Sequence, residues 1–410
     1  MAYKCRFCQS KLNKVIIDLG DQPPSNDYIP DRKDCGKESF YPLKVFICEE
    51  CWLVQLPEHT EPKNLFNEDY AYFSSTSSSW LKHAKDYSIS TIQKQKLNED
   101  SFVVEIASND GYLLKNFTQR NIPCLGIEPT KATAEKSIEI GIPTLMDFFG
   151  LKLAKEIKDK FKEADLILGN NVLAHVPDIN DFISGAKYLL KSDGVISFEF
   201  PHVYNLIEQN QFDTIYHEHY SYLSLAFISR LCKKHSLKVF KVDKLKTHGG
   251  SLRVWICYEN YKIDRDISVI DILKEEELIN LDSLSPYHKF QRRAEHSKID
   301  FIRFLEKVKI DKSKVCAYGA AAKGNTFMNF AKIKNDSIPF VVDKSTSKQG
   351  KYMPGSHIPI RDIEFLKEFN PDHIIVLPWN LIDEISSELY KEGIKSDLHT
   401  FIPEHKIIKF

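Results

Sequence analysis

The sequence predicts an α/β protein in three parts: a small N-terminal metal-binding module, a central Rossmann-like domain and a second Rossmann-like domain at the C-terminus. Three observations carry this reading. Five of the nine cysteines fall in the first 51 residues. From residue 102 apolar runs of strand length alternate with helical segments, and after a charged stretch the alternation resumes. Such a rhythm means βαβ units and parallel sheets. A length of 410 residues suits two to three domains, and 42% hydrophobic residues suffice for their cores.

Residues 1–70 hold the cysteine pairs, several prolines and short strand-like runs at Val15–Leu19 and Leu43–Ile47. Cys5-x2-Cys8 and Cys48-x2-Cys51 are two knuckles, each able to present two thiolates to one tetrahedral ion, which predicts a structural Zn²⁺ site. Cys35 lies outside this spacing and is left out of the site. Cys124, Cys232, Cys257 and Cys316 are scattered singly, mostly in apolar stretches, so a disulfide framework is not expected. The N-terminus lacks the apolar stretch of an ordinary signal peptide, and no run approaches the roughly 18 apolar residues of a membrane span. A cytoplasmic protein without a membrane partner is the expectation. With Lys+Arg 56 against Asp+Glu 57, the formal charge of -1 gives no reason to expect nucleic acid as a partner.

Residues 71–265 are expected to form the central domain. The Ser-rich stretch Phe73–Ser79 suits a capped helix entrance before Trp80. Strand-like runs follow at Phe102–Ala107, Cys124–Ile127, Leu166–Leu168 and Val195–Phe200. The first runs into a polar turn, placing Glu105, Ala107, Ser108, Asn109, Asp110, Gly111, Tyr112 and Leu113 at its carboxyl end. Small residues there admit a ligand close to the backbone, and acidic ones suit amino and hydroxyl groups better than phosphate. Glu128 and Pro129 end the next strand, where a carboxylate can hold ribose hydroxyls. Asp147, Phe148 and Phe149 could enclose an adenine, and Asn170 and Asn171 close the crevice from the fourth strand. Together these four pieces predict a site for S-adenosylmethionine.

Ionisable and aromatic residues crowd Glu199–His202 and Phe212–Tyr222. His217-Glu218-His219 could bind a metal, but on an extended strand the two histidines share one face and Glu218 takes the other. A proton-transfer cluster explains the density better, since a histidine is a suitable base for a carbon acid and a tyrosine can donate to the oxygen gaining charge. Thr247–Arg253 reads as a turn feeding a strand. His202, His248 and Arg253 are assigned to the substrate side, Arg253 as an anion contact.

The charged stretch 264–314 contains the expected helix Tyr287–Val308, and residues 266–410 then repeat the strand pattern at Val315–Tyr318, Phe340–Val342 and His373–Leu377. Tyr318-Gly319-Ala320-Ala321-Ala322-Lys323-Gly324-Asn325 joins a strand to a helix. Its glycine spacing is not that of a dinucleotide fingerprint, and a cofactor crevice already exists upstream. Lys323, Gly324 and Asn325 at a helix N-terminus are read instead as a diphosphate cradle, with Trp379 and Asn380 toward the nucleoside.

As a set, the paired CxxC, YAYFSSTSSSW, VVEIASNDGYLL, GIEP, NNVLAHVPD, EFPH, QFDTIYHEHYSYLS, THGGSLRV, YGAAAKGNT and LPWN resemble the zinc-containing, S-adenosylmethionine-dependent sugar C-methyltransferases of nucleotide-linked deoxysugar biosynthesis. The resemblance covers essentially the whole chain. It implies a monomer that methylates carbon 3 or carbon 5 of a 4-keto sugar carried on a nucleoside diphosphate, most often dTDP, with GDP or CDP open. By the same resemblance His219 is the base, Tyr216 and Glu218 are its partners, and His175 and Tyr70 approach the sugar from the cofactor side. A sugar O-methyltransferase and an NAD(P)-dependent sugar oxidoreductase are the competing readings.

Overall fold

The computed structural model describes residues 3–65 and 73–409. Tyr70, one of the expected site residues, lies outside them. Among the described residues no helix is long and apolar enough to cross a membrane.

The central sheet has seven strands in the spatial order Leu237–Leu245, Ser251–Tyr258, Leu190–Pro201, Ala164–Asn170, Val103–Ile106, Cys124–Ile127 and Thr144–Leu145. From Leu190–Pro201 to Thr144–Leu145 every pairing is parallel, whereas Ser251–Tyr258 runs antiparallel to both neighbours. Val103–Ile106 and Cys124–Ile127 are buried at every position, which is why they read as apolar runs, the first interrupted only by Glu105, rather than as alternating ones. Strand order reverses at Val103–Ile106, between Cys124–Ile127 and Ala164–Asn170. A crevice therefore opens at its carboxyl end. The expected helix entrance is present: the Ser77 side chain accepts from Trp80 N–H and starts the helix Ser78–Gln95.

The C-terminal sheet has six strands in the order Ile360–Arg361, Val341–Val342, Val315–Tyr318, His373–Val376, Asp397–Thr400 and Lys406–Ile408, with only the last antiparallel. The long helix runs Phe290–Ile310 and is entered through a short turn at Ser285–Tyr287 that places Pro286 at its start. Phe290, Ala294, Phe301, Leu305 and Val308 form its buried stripe, as the helical spacing predicts.

The N-terminal sheet departs from the expected boundary. It pairs Lys14–Gln22, Tyr41–Ile47 and Val54–Gln55, and takes its fourth strand, Ser221–Tyr222, from the central region. Beside that pairing, Leu56 N–H donates to Tyr220 O at 3.0 Å. One apolar core joins Ile17, Leu43 and Val54 of the module to Phe212 and Ile215 of the central region and to Phe301 and Phe327 of the C-terminal half. The segment 212–222 is thus packed between all three parts. A one-dimensional pattern shows runs and periods but not which runs share a core.

Candidate active site and metal centre

The two cysteine pairs fold alike. Cys5 N–H donates to Ser10 O at 2.8 Å and Gln9 N–H to Cys5 O at 2.9 Å; in the second pair Cys48 N–H donates to Leu53 O at 3.0 Å and Trp52 N–H to Cys48 O at 2.9 Å. Gln9 and Trp52, each directly after the second cysteine, have φ of 66° and 61°. This reverses the chain and leaves both thiols of a pair on one side. The sulfurs of Cys5, Cys8, Cys48 and Cys51 all lie within 4.8 Å of one another. Tetrahedral zinc, with Zn–S of about 2.3 Å, needs sulfurs about 3.8 Å apart. Gln55 Nε2 donates to Cys5 Sγ at 3.2 Å, a donor suited to a charged thiolate.

At the carboxyl end of Val103–Ile106 the turn takes φ of 58° at Ala107, 51° at Asn109 and 76° at Gly111. A Cβ on Gly111 would also lie 2.5 Å from Ile142 Cδ1, so both conformation and space call for glycine. Glu128 ties this turn to the next strand, accepting Asn109 N–H and Thr130 N–H at 2.9 Å each. From above, Ser74 N–H donates to Asn109 Oδ1 at 2.9 Å and Ser75 N–H to Asp110 Oδ2 at 3.0 Å.

The buried atoms left without partners here are one-sided. Both carboxyl oxygens of Glu105, Asp110 Oδ1, Asn170 Oδ1 and Asn171 Oδ1 make no hydrogen bond, nor does the Ser108 hydroxyl. Nearly all are acceptors. Buried acceptors are stable only when donors reach them, and an ammonium, ribose hydroxyls and an adenine amino group are such donors. Burial, followed by the charges of Asp110 and Glu128, raises the Glu105 carboxyl well above its ordinary range, and a bound cation would offset that. The residues present fit S-adenosylmethionine.

Across the crevice lies the segment 212–222. It turns at His217 and Glu218 rather than running extended, with His219 N–H on Tyr216 O at 2.9 Å. The alternation expected for a strand therefore fails, and three neighbouring side chains take separate directions. His217 Nε2 reaches Tyr41 O at 3.2 Å, and the Glu218 carboxylate accepts from Asn26 at 3.2 Å. His219 packs among rings, its own 4.0 Å from Tyr216 and 4.6 Å from His175.

Thr214 O lies 2.8 Å from His219 Nδ1, and Glu218 O lies 2.7 Å from His175 Nδ1. A carbonyl only accepts, so in both rings Nδ1 carries the hydrogen and Nε2 keeps its lone pair. Burial, then the neighbouring His175, holds His219 well below the usual histidine range. Burial likewise takes His175 down to about 4, and Glu218 up to about 7. The cluster holds neutral imidazoles beside a carboxyl that titrates near neutrality.

Profiles of three families match the chain: a zinc binding domain over residues 5–66, a methyltransferase domain over 80–242 and a C-methyltransferase C-terminal domain over 246–401. The chain is 31% identical over 382 residues to the C-methyltransferase NovU of Streptomyces niveus, covering 93% of this chain and 91% of that one. The chain belongs to the C-methyltransferase family. Solved structures similar to its central part include the PH0226 protein of Pyrococcus horikoshii, at 11% identity, TM-score 0.37 and coverage of 46% of this chain and 95% of that one. A methyltransferase of Clostridium acetobutylicum follows at 11% identity and TM-score 0.36, covering 43% of this chain and 92% of that one. The methyltransferase thus uses S-adenosylmethionine, and its four-cysteine cluster is a zinc site.

Several expected site residues of the C-methyltransferase are committed elsewhere. Arg253 does not present a free cation to an anion: its guanidinium pairs with Glu199 and lies 3.5 Å above the Tyr87 ring. Burial would raise the Glu199 carboxyl, but His83, Arg253 and Thr247 outweigh it and hold it at about 2. His202 is buried against Glu276 at 2.6 Å, and that carboxylate also accepts Leu225 N–H and Ala226 N–H. It is a structural pair closing a helix N-terminus, not a substrate contact. Asn325 is fully buried between Ser25 and Asn329, and a Cβ on Gly324 would lie 2.6 Å from Leu377 Cβ. Both serve packing. Trp379 donates to Asp213 Oδ2 at 2.7 Å, joining the halves rather than holding a base.

Other expectations come together. Lys323 Nζ donates to Asn380 Oδ1 at 2.9 Å and lies over the Trp379 ring at 4.9 Å, facing the segment that holds Asp213. Asn171 donates from Nδ2 to His248 Nε2 at 3.0 Å, linking the cofactor turn to the hairpin. Asp147 and Phe148 are exposed at the mouth of the crevice, while Phe149 packs on Phe182. Sequence reading missed His83, Asp213 and the Ser74–Ser75 backbone. Asp213 had a signal, an acid flanked by aromatic and β-branched residues; the other two had none, because their partners lie far along the chain.

Proposed function

We propose that the chain transfers the methyl group of S-adenosylmethionine to carbon 3, or carbon 5, of a 4-keto sugar linked to a nucleoside diphosphate, dTDP before GDP or CDP. The observation that carries this is His219: a neutral imidazole with Nδ1 fixed on Thr214 O, so that Nε2 keeps its lone pair. A ketone acidifies the neighbouring C–H, and a neutral imidazole has a lone pair to accept that proton. The cofactor supplies the electrophilic methyl.

His219 Nε2 takes the proton from the carbon beside the ketone. Tyr216, its ring tilted against His219 at 4.0 Å, donates to the oxygen that becomes the enolate. His175, whose ring lies beside His219, orients a sugar hydroxyl, and Tyr70 is assigned to the sugar by the family resemblance alone. Glu218, held by Asn26, keeps the turn that aims His219. Lys323 and the N–H groups opening the helix Ala322–Phe330 hold the diphosphate, and Asn380 and His248 flank it. Glu105, Ala107, Ser108, Asp110, Asn170 and Asn171 receive the cofactor's amino-acid end, Glu128 with Pro129 its ribose, and Asp147 with Phe148 its adenine. The functional units are 1–70, 71–265 and 266–410, in a monomer working in the cytoplasm.

The test incubates the protein with methyl-labelled S-adenosylmethionine and dTDP-, GDP- and CDP-4-keto-sugars, followed by intact-mass analysis. A labelled methyl on one sugar, assigned to its carbon by NMR, is the expected result. Label absent from every sugar despite cofactor binding would overturn the acceptor.

A further inference from the structure

Far along the chain from the crevice, three histidines and an aspartate meet on the C-terminal sheet. His373 opens the strand His373–Val376 and Asp397 opens its parallel neighbour Asp397–Thr400; the register sets His373 beside Asp397 and Ile375 beside His399. Side chains alternate along a strand, so His373, Asp397 and His399 share one face. They stand toward the amino end of the sheet, opposite the carboxyl edge where Lys323 lies. Phe304 of the long helix covers this face, 4.3 Å from the His399 ring and 5.6 Å from His373.

We propose that His373, Asp397 and His399 form a second divalent transition-metal site, with His405 as the residue that orients His399. The ligand atoms of the three all lie within 4.8 Å of one another. His373 Nδ1 and His399 Nε2 face each other at 3.1 Å. Two nitrogens on one tetrahedral ion with Zn–N of about 2.0–2.1 Å stand about 3.3 Å apart, so a shift of a few tenths of an ångström admits the metal. His399 Nδ1 is 3.2 Å from His405 Nε2. With Nδ1–H donating there, His399 presents its Nε2 lone pair to the ion, the tautomer control that metal-bound histidines commonly have.

Charge and polarity agree. When an ion enters, the hydrogen on His373 Nδ1 moves to His373 Nε2 by tautomer exchange, and both facing lone pairs turn to the metal. Asp397 and His373 are half-buried, leaving remaining positions to water. Two imidazoles and one carboxylate favour Zn²⁺, Co²⁺ or Ni²⁺ over Mg²⁺ or Ca²⁺. An ion there would tie two adjacent strands across the sheet.

The test uses the full chain with its cysteine site loaded with zinc. Metal per chain is measured by mass spectrometry, and Co²⁺ is added as a spectroscopic probe. The expected result is one further ion per chain, with cobalt ligand-field bands and no thiolate charge-transfer band. His399→Gln and Asp397→Asn should each abolish or sharply weaken it, and His405→Gln should weaken it about 10- to 100-fold. Unchanged circular dichroism in any one of these variants keeps the test valid. Wild-type chain that takes up only the cysteine-bound ion, or a folded Asp397→Asn variant that binds Co²⁺ as tightly as wild type, would overturn the proposal.

Discussion

The two Rossmann-like halves have the same plan and opposite interiors. Each has a parallel sheet whose order reverses at its first strand, and each follows that strand with a glycine turn. In the central half the turn at Ala107–Gly111 faces buried acceptors with no donors. In the C-terminal half Gly319, at φ 89°, packs under the ring of Pro378, and Gly324 lies against Leu377. Protein packs directly against the second glycine turn, where the first is left to a ligand. A glycine turn thus reports only that something comes close to the backbone; the neighbouring strand decides whether that is ligand or side chain.

This division predicts that chemistry fails from one half and binding from the other. The largest effect is on the central side: His219→Asn should lower kcat about 10²- to 10⁴-fold, with cofactor affinity unchanged by titration. On the C-terminal side Lys323→Met should raise the KM for the nucleotide-sugar about tenfold, the order of one charged hydrogen bond, while kcat moves little. Equal losses of kcat in both variants would erase the distinction.

A matched glycine pair sharpens it. Gly111→Ala and Gly319→Ala both force a side chain into a left-handed, crowded position, each costing about 1–3 kcal/mol of stability by denaturant titration. Only the first should also weaken binding of S-adenosylmethionine. If Gly319→Ala weakens cofactor binding as much, the C-terminal turn is not merely packing.

The smallest effect is on pH. His175 and His248 are pulled to about 4 by burial, and burial with the neighbouring His175 holds His219 well below 6.5. Their folded values lie below the unfolded 6.5, so the stability they contribute above that pH is lost as pH falls toward 4. Asp213 and Glu218, raised by burial to about 6 and about 7, act oppositely: their contribution is full below the unfolded carboxyl value and is lost as pH rises through those values. The two sets oppose each other, so the loss of stability as pH falls from 6.5 to 4 should be smaller than the histidines alone would give, measured by denaturant titration across that range. Activity has no such offset. The acid limb of kcat/KM should lie below pH 6.5, measured across a buffer series.

Much of this was legible beforehand, because the signals were local. The knuckles are fixed by spacing, Cys124–Ile127 and Val315–Tyr318 match their strands residue for residue, and the crevice residues lie at strand ends. What failed depended on distant partners. Arg253 reads as a free cation until Glu199, 54 positions away, is seen beside it. His202 reads as reactive until Glu276 closes on it. The boundary at residue 70 was hidden because the module's fourth strand is two residues long, Ser221–Tyr222, too short to carry a period. That pairing anchors the turn at His217 and Glu218 on the N-terminal module, while Tyr220 N–H on Ala174 O at 2.8 Å anchors it on the loop bearing His175.

The central claim is that His219 removes a proton from the carbon beside the sugar ketone. The direct measurement is deuterium exchange at that carbon in D₂O, with S-adenosylhomocysteine in place of the methyl donor, followed by NMR on the 4-keto nucleotide-sugar. Wild-type protein should wash deuterium into that one position and His219→Asn should not. Exchange undiminished in the variant, or absent from a wild-type protein that still methylates the sugar, would contradict the account.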